Sequence, residues 1–249
     1  MNKFAISKRA YSSFGITDTG SLKKQNDDRF LIKNLDGAST LLAVADGLSG
    51  QPYGYLAAEI ALNVLDNFHL YQHNILKQLR QLIIKADTAV MNASKESPDF
   101  EYMGTTLTTA VVLQDKVYWA HVGDSRIYHI QHKNISQITI DQTMAQYLIE
   151  EGEITSEQAK NHPMKSLLDQ CLGCGSCVAA TGSFRICPGD IILLCSDGLF
   201  NEIEQKKLYD ALRSDGSIKN RIEYLVKTAR EIGGKDNITA VALELDSGQ

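Results

Sequence analysis

Two apolar runs of strand length in this chain end in the same way. Leu41-Leu42-Ala43-Val44-Ala45 stops at Asp46-Gly47-Leu48-Ser49-Gly50, and Ile191-Ile192-Leu193-Leu194-Cys195-Ser196 stops at Asp197-Gly198. Short apolar runs bounded by turn residues predict strands buried on both faces. A carboxylate at the end of such a strand is costly unless something positive meets it. A following glycine lets a ligand approach the backbone closely, so the Gly47 carbonyl is itself a candidate ligand. Two buried strands that each deliver Asp-Gly predict two carboxylates converging on metal ions.

Asp27, Asp28, Asp46, Asp124, Asp197 and Asp236 all fall at predicted strand edges or turns. Acids gathered in one place repel one another unless cations hold them. Oxygen ligands without accompanying histidine or cysteine select magnesium or manganese over zinc. Two such ions about 3.5–4 Å apart share a bridging water and lower its pKa toward neutrality. They also neutralise phosphate oxygens during in-line transfer. Asp-Gly also marks ordinary turns, but two copies after apolar strands, with Asp236 besides, favour the metal reading. Other phosphate chemistries lack their residues. No cysteine begins a Cys-x₅-Arg, no Asp-x-Asp is present, and there is no G-x-x-x-x-G-K-[ST] loop.

Along the chain, Tyr11 to Ile16 and Arg29 to Lys33 read as strands around a charged loop, Thr19 to Asp28. From Tyr53 to Ser94 apolar stripes at helical spacing predict two helices broken between Asp66 and Asn74. Thr105 to Leu113, Lys116 to Val122 and Arg126 to Ile130 read as a meander of three antiparallel strands. His121 and His129 sit inside them as hydrogen-bonded core or edge residues. Gln142 to Lys160 reads as helix, with a capping box at Thr155 and Gln158. Thr181 to Ile186 is a strand, Leu208 to Ser214 and Ser217 to Glu231 are helices, and Ile238 to Leu243 is the last strand. No linker or repeat interrupts this order, which predicts one domain over 1–249 whose terminal strands share a sheet region.

The 25 basic and 30 acidic residues leave a net charge of −5, no basis for nucleic-acid or anionic-membrane binding. No stretch approaches a membrane span. Met1 to Arg9 lacks an apolar signal core, so the cytosol is the expected location. Cys171, Cys174 and Cys177 have the C-x₂-C-x₂-C spacing of thiolate metal sites. The fourth ligand would come from Cys187, Cys195 or His162; reduced thiols in a turn are the favoured reading.

The ordered set Asn26-Asp27-Asp28, Ala45-Asp46-Gly47, Gly104-Thr105-Thr106, Gly123-Asp124-Ser125-Arg126, Ser196-Asp197-Gly198 and Lys235-Asp236-Asn237 resembles the metal-dependent type 2C serine/threonine protein phosphatases, especially the compact bacterial members. The likeness runs from about Gly15 to Leu245. It implies an α+β fold, a four-layer α/β/β/α sandwich of two antiparallel sheets face to face, flanked by helices. It implies a phosphatase whose water, bridging two Mg²⁺ or Mn²⁺ ions, attacks phosphoserine or phosphothreonine directly. Asp46 then resembles the carboxylate bridging the ions, with the Gly47 carbonyl on the second. Asp197 and Asp236 resemble the remaining ligands of the first ion. Asp27 and Asp28 resemble the acidic pair that orders metal-bound waters, and Asp124 with Asp197 resembles the pair holding a third ion. Residues 141–175 resemble the bacterial flap beside the cleft. Implied partners are phosphoproteins made by a serine/threonine kinase.

Four positions depart from the family pattern. Asp27 replaces a longer glutamate. Lys23, chosen by spacing over Lys24, replaces the phosphate-gripping arginine and cannot offer its bidentate fork. Leu48 stands where animal enzymes carry a histidine, and cannot donate a proton. Asn201 stands where aspartate often follows the second Asp-Gly, which weakens the expected third site. These departures also motivate an alternative, a catalytically weak phosphoprotein-binding or regulatory module.

Overall fold

The computed structural model describes residues 11–35, 39–49, 53–71 and 73–246. Gly50 and the Met1 to Arg9 stretch lie outside them. In chain order the strands are β1 (Tyr11–Asp18), β2 (Arg29–Asn34), β3 (Ser39–Ala45), β4 (Leu107–Leu113) and β5 (Lys116–Val122). They continue as β6 (Arg126–Ile130), β7 (Ile135–Gln137), β8 (Ala180–Arg185), β9 (Ile191–Cys195) and β10 (Ile238–Leu245). The helices are α1 (Gly54–Asp66), α2 (Ile75–Ser94), α3 (Met144–Glu150) and α4 (Ser156–Ala159). After them come α5 (Asp197–Phe200), α6 (Gln205–Leu212) and α7 (Ile218–Ile232).

Among the described residues the strands form two five-stranded sheets, ordered β1-β10-β9-β6-β7 and β2-β3-β4-β5-β8, with antiparallel neighbours throughout. Period-two alternation explains how they stack. Leu42 and Val44 of β3 point inward with Ala110 and Val112, against Ile127, Ile192, Leu194 and Val241 of the other sheet. Leu41, Ala43 and Ala45 point the other way, onto Ala57, Ala58 and Ala61 of α1 and Leu79 and Ile83 of α2. Ile191, Leu193 and Cys195 of β9 likewise pack on Leu208, Ile222 and Leu225 of α6 and α7. The result is the expected helix, sheet, sheet, helix layering, with β3 and β9 buried on both faces.

Three expectations change. The meander ends after two strands: β4 pairs β5, but β6 crosses to the other sheet and pairs β9 through Arg126 to Cys195. Gly123, at φ 109°, makes the turn that redirects it. Local alternation marks a strand but cannot say which sheet receives it. The region from Gln142 to Lys160 is two short helices, because Gly152 at φ 77° ends the first. Thr155 then restarts the chain with the expected capping box. Strand β4 begins at Leu107, since Thr105 belongs to isolated bridges with Gly47 and Leu172. The two terminal strands do share a sheet, β1 against β10.

Candidate functional site

The two Asp-Gly turns lie at neighbouring ends of the facing sheets, and glycine is what lets each close. A β-carbon on Gly47 would stand 2.4 Å from the Gly54 carbonyl group at the start of α1. One on Gly198 would stand 2.1 Å from the Asn237 carbonyl oxygen. Any side chain at Gly198 would therefore force the Asp197 turn away from the Asp236 segment.

Threonine, serine and asparagine side chains lock the acidic segments together. Thr105 Oγ1 donates to the Asp46 carbonyl at 2.8 Å, and the Asp46 N–H donates to Thr106 Oγ1 at 3.0 Å. Ser196 Oγ donates to Asp28 Oδ2 at 2.7 Å while accepting the Thr239 N–H at 3.0 Å. Asn237 Oδ1 accepts the Asp27 N–H at 2.8 Å, and its Nδ2 donates to the carbonyls of Thr19 and Gln25 at 2.8 and 2.9 Å. One asparagine thus ties the loop carrying Lys23, Asp27 and Asp28 to the Asp236 segment. Ser196 and Asn237 have no role in the sequence reading beyond membership of their motifs. Polar side chains at the margins of otherwise apolar strands, such as Thr239, were the available signal.

Asp28, Asp46, Asp124, Asp197 and Asp236 come together. Burial pushes the Asp46 carboxyl well above the usual range, and the charges of Asp28, Asp197, Asp124 and Asp236 push it further. Burial lifts Asp197 to about 8, with Asp124, Asp236 and Asp28 adding to the shift. Asp124 rises to about 7 through burial and the charge of Asp141. Asp28 rises to about 6 through burial, although the neighbouring polar groups of Thr239, Ser196 and Asp46 oppose the shift. Lys23 reaches the same group, its Nζ 2.7 Å from Asp236 Oδ1 and 2.7 Å from Ser49 Oγ, while Lys24 is exposed.

Asp27 adjoins this group, its backbone carbonyl against the Asp46–Gly47 turn. Its carboxylate turns to the start of α1 and accepts the Tyr55 N–H at 3.2 Å and Gln25 Nε2 at 2.7 Å. One oxygen of the residue expected to order metal-bound water with Asp28 thus caps a helix, where the helix dipole favours negative charge. Beside Asp124 and Asp197 lies a cavity of about 260 Å³ lined also by Arg126, Lys160, Lys165 and Asn201. Asn201 Nδ2 donates to Asp197 Oδ2 at 3.1 Å. Arg126 grips Asp141 with two nitrogens, Nε at 2.9 Å and Nη2 at 2.6 Å, and thereby anchors residues 141–175 beside this cavity. A wider cavity of about 780 Å³, between α1 and α2, has no carboxylate in its lining.

The donor set fits hard divalent cations. Its carboxylates are pushed toward protonation by burial and by one another, and Asp28 Oδ1 is buried with no hydrogen-bond partner. A bound cation would reverse each of these penalties. Among the described residues, no three His, Cys, Asp or Glu side chains already stand in a ligating arrangement. That holds for the cysteine triad as well, whose candidate fourth ligand Cys195 is buried beneath α6 and α7.

Two facing antiparallel sheets flanked by helices, with an acidic pocket at one edge, define the architecture, and solved phosphatase structures share the fold. A crystal structure of a bacterial serine phosphatase matches with TM-score 0.88 and 28% identity, covering 95% of this chain and 98% of that one. The catalytic domain of the serine/threonine protein phosphatase PstP, solved in complex with two manganese ions, matches at TM-score 0.83 and 28% identity over 95% and 98% of the two chains. The family model described as Protein phosphatase 2C matches residues 21–239, and the chain belongs to that family. The serine/threonine phosphatase stp of Listeria monocytogenes is 32% identical over 240 residues, 94% of this chain and 95% of that protein.

Proposed function

We propose that this chain is a magnesium- or manganese-dependent phosphatase that hydrolyses phosphoserine and phosphothreonine in proteins without a phosphoenzyme. The observation that supports it most is the convergence of Asp28, Asp46, Asp124, Asp197 and Asp236, from separate segments, around the unpartnered Asp28 Oδ1. In this reading Asp46, the Gly47 carbonyl, Asp197 and Asp236 hold two ions. Asp28 orders water beside them, and Asp124 with Asp197 holds a third. When bound, the ions supply the charge that acidifies water and neutralises phosphoryl oxygens.

The chain's own side chains do the rest. Lys23, already beside Asp236 and Ser49, meets the substrate phosphate as a point charge. Leu48 has no proton to give, so the leaving oxygen takes one from solvent. Asn201 already occupies Asp197 Oδ2, which weakens the third position. The chain acts as one catalytic domain, with residues 141–175 as its flap, on substrates made by a serine/threonine kinase in the cytoplasm. No described helix is long and apolar enough to cross a membrane.

The test is turnover of a phosphothreonine peptide with manganese. The parent protein should release phosphate, while Asp46→Ala and Asp197→Ala should lose turnover and regain it with neither extra metal nor extra peptide. A folded parent that releases none would leave only the phosphoprotein-binding module.

A further inference from the structure

The C-x₂-C-x₂-C segment lies directly under the Asp46–Gly47 turn. Leu172, between the first two cysteines, exchanges hydrogen bonds with Thr105: its N–H donates to the Thr105 carbonyl at 2.8 Å and its carbonyl accepts the Thr105 N–H at 3.3 Å. Thr105 Oγ1 in turn donates to the Asp46 carbonyl at 2.8 Å, and the Leu48 N–H donates to the Gly104 carbonyl at 3.0 Å. The packing is tight. A β-carbon on Gly104 would meet the Leu172 oxygen at 2.9 Å, and one on Gly173 would meet the Met103 oxygen at 2.6 Å.

The loop is tied down at one point. Buried Asp87 on α2 accepts the N–H groups of Gly173 and Gly175 on Oδ1 at 2.8 and 3.2 Å. Gly173 and Gly175, at φ 108° and 75°, let the chain coil so that the Cys174 sulfur turns back to 3.2 Å from the Cys171 carbonyl oxygen. Cys174 is exposed and Cys171 half-buried. Burial, then the neighbouring Cys174 and Asp87, push the Cys171 thiol up to about 11, so Cys174 is the first to meet an oxidant and Cys171 the one that follows. Burial and the charge of Asp87 hold Cys177 as a thiol, packed on the core beneath α2.

We propose that Cys171 and Cys174 are a peroxide-sensitive modification site whose disulfide displaces Leu172 and, through Thr105, shifts the Asp46–Gly47 turn. The Cys174 thiolate attacks hydrogen peroxide, the O–O bond breaks, and the departing hydroxide leaves as water after taking a proton. The Cys171 sulfur then attacks the resulting sulfenic sulfur, gives up its proton, and expels the second water. Two thiols lose two electrons, one peroxide becomes two waters, and a small thiol reverses the bond by exchange. The consequence for metal binding rests on the role proposed for Asp46; formation of the bond does not.

The experiment uses the magnesium-loaded protein with and without hydrogen peroxide. Peptide mapping should find a Cys171–Cys174 disulfide, and amide exchange should quicken at Leu48 and Thr106. The magnesium needed for half-maximal phosphopeptide turnover should rise about fivefold, the worth of one hydrogen bond. Dithiothreitol should restore all three. Cys174→Ser should abolish the response, and Cys187→Ser should leave it. No disulfide, a different pairing, or a Cys171–Cys174 bond with unchanged exchange at Leu48 and Thr106 would overturn the proposal. A parent protein without turnover would instead count against the phosphatase reading, while mapping and exchange would still decide this one.

Discussion

Without metal, this protein should lose stability as pH rises from 6.5 to 8. Asp124 and Asp197 carry folded-state values of about 7 and 8 against an ordinary 3.8, and Asp46 is raised as well. An acid that holds its proton more tightly when folded stabilises the fold below its unfolded value, and that stability is lost as pH rises through the folded value. Buried His121, lowered to about 4, has the opposite sign: it destabilises the fold only as pH falls below 6.5. The window above 6.5 therefore isolates the acids. Across it Asp197, protonated in the fold for much of the range and ionised when unfolded, contributes on the order of 1–2 kcal/mol. Neighbouring acids release their protons as a set, so their separate contributions do not simply add. Urea titrations of metal-free protein at pH 6.5, 7.25 and 8 should show the midpoint falling with an unchanged slope. Asp197→Asn should flatten the trend even though it removes a proposed ligand. Saturating manganese should reverse it, because protons then compete less with the ion. Metal-free stability that stays level or climbs between pH 6.5 and 8 would refute the packing of these carboxylates into one desolvated pocket.

Two substitutions separate metal ligation from support. Asp27→Ala removes the acceptor for the Tyr55 N–H and should cost about 1 kcal/mol of stability. Calorimetric manganese affinity should stay within about twofold, less than the tenfold that 1.4 kcal/mol would make; a larger loss would return Asp27 to the metal site. Ser196→Ala strands the buried Thr239 N–H and takes a donor from Asp28, which should lower unfolding free energy by about 2–3 kcal/mol in chemical denaturation.

Much of the fold was legible because its signals are local. The two apolar runs that became β3 and β9, the helical stripes of α1, α2 and α7, and the capping box at Thr155 each declare themselves within a few residues. The crossing of β6 to the opposite sheet was not legible, since its alternation of inward and outward residues satisfies either sheet equally. Gly152 was equally quiet, because a glycine inside a helical pattern ends the helix only when the chain adopts positive φ there.

The same division runs through the site. Sequence alone determined which residues are chemically able to hold hard cations, and that acids at the ends of buried strands demand compensation. Only the tertiary structure decided that Asp27 Oδ1 meets the start of α1 while the adjacent Asp28 is buried among the other acids. It alone set Ser196 and Asn237 as the clasps between segments more than 160 positions apart, with Asn237 210 positions from Asp27 and Ser196 168 from Asp28. The reason is physical: a side chain's composition is written locally, but the direction it points depends on which distant backbone offers it a hydrogen bond.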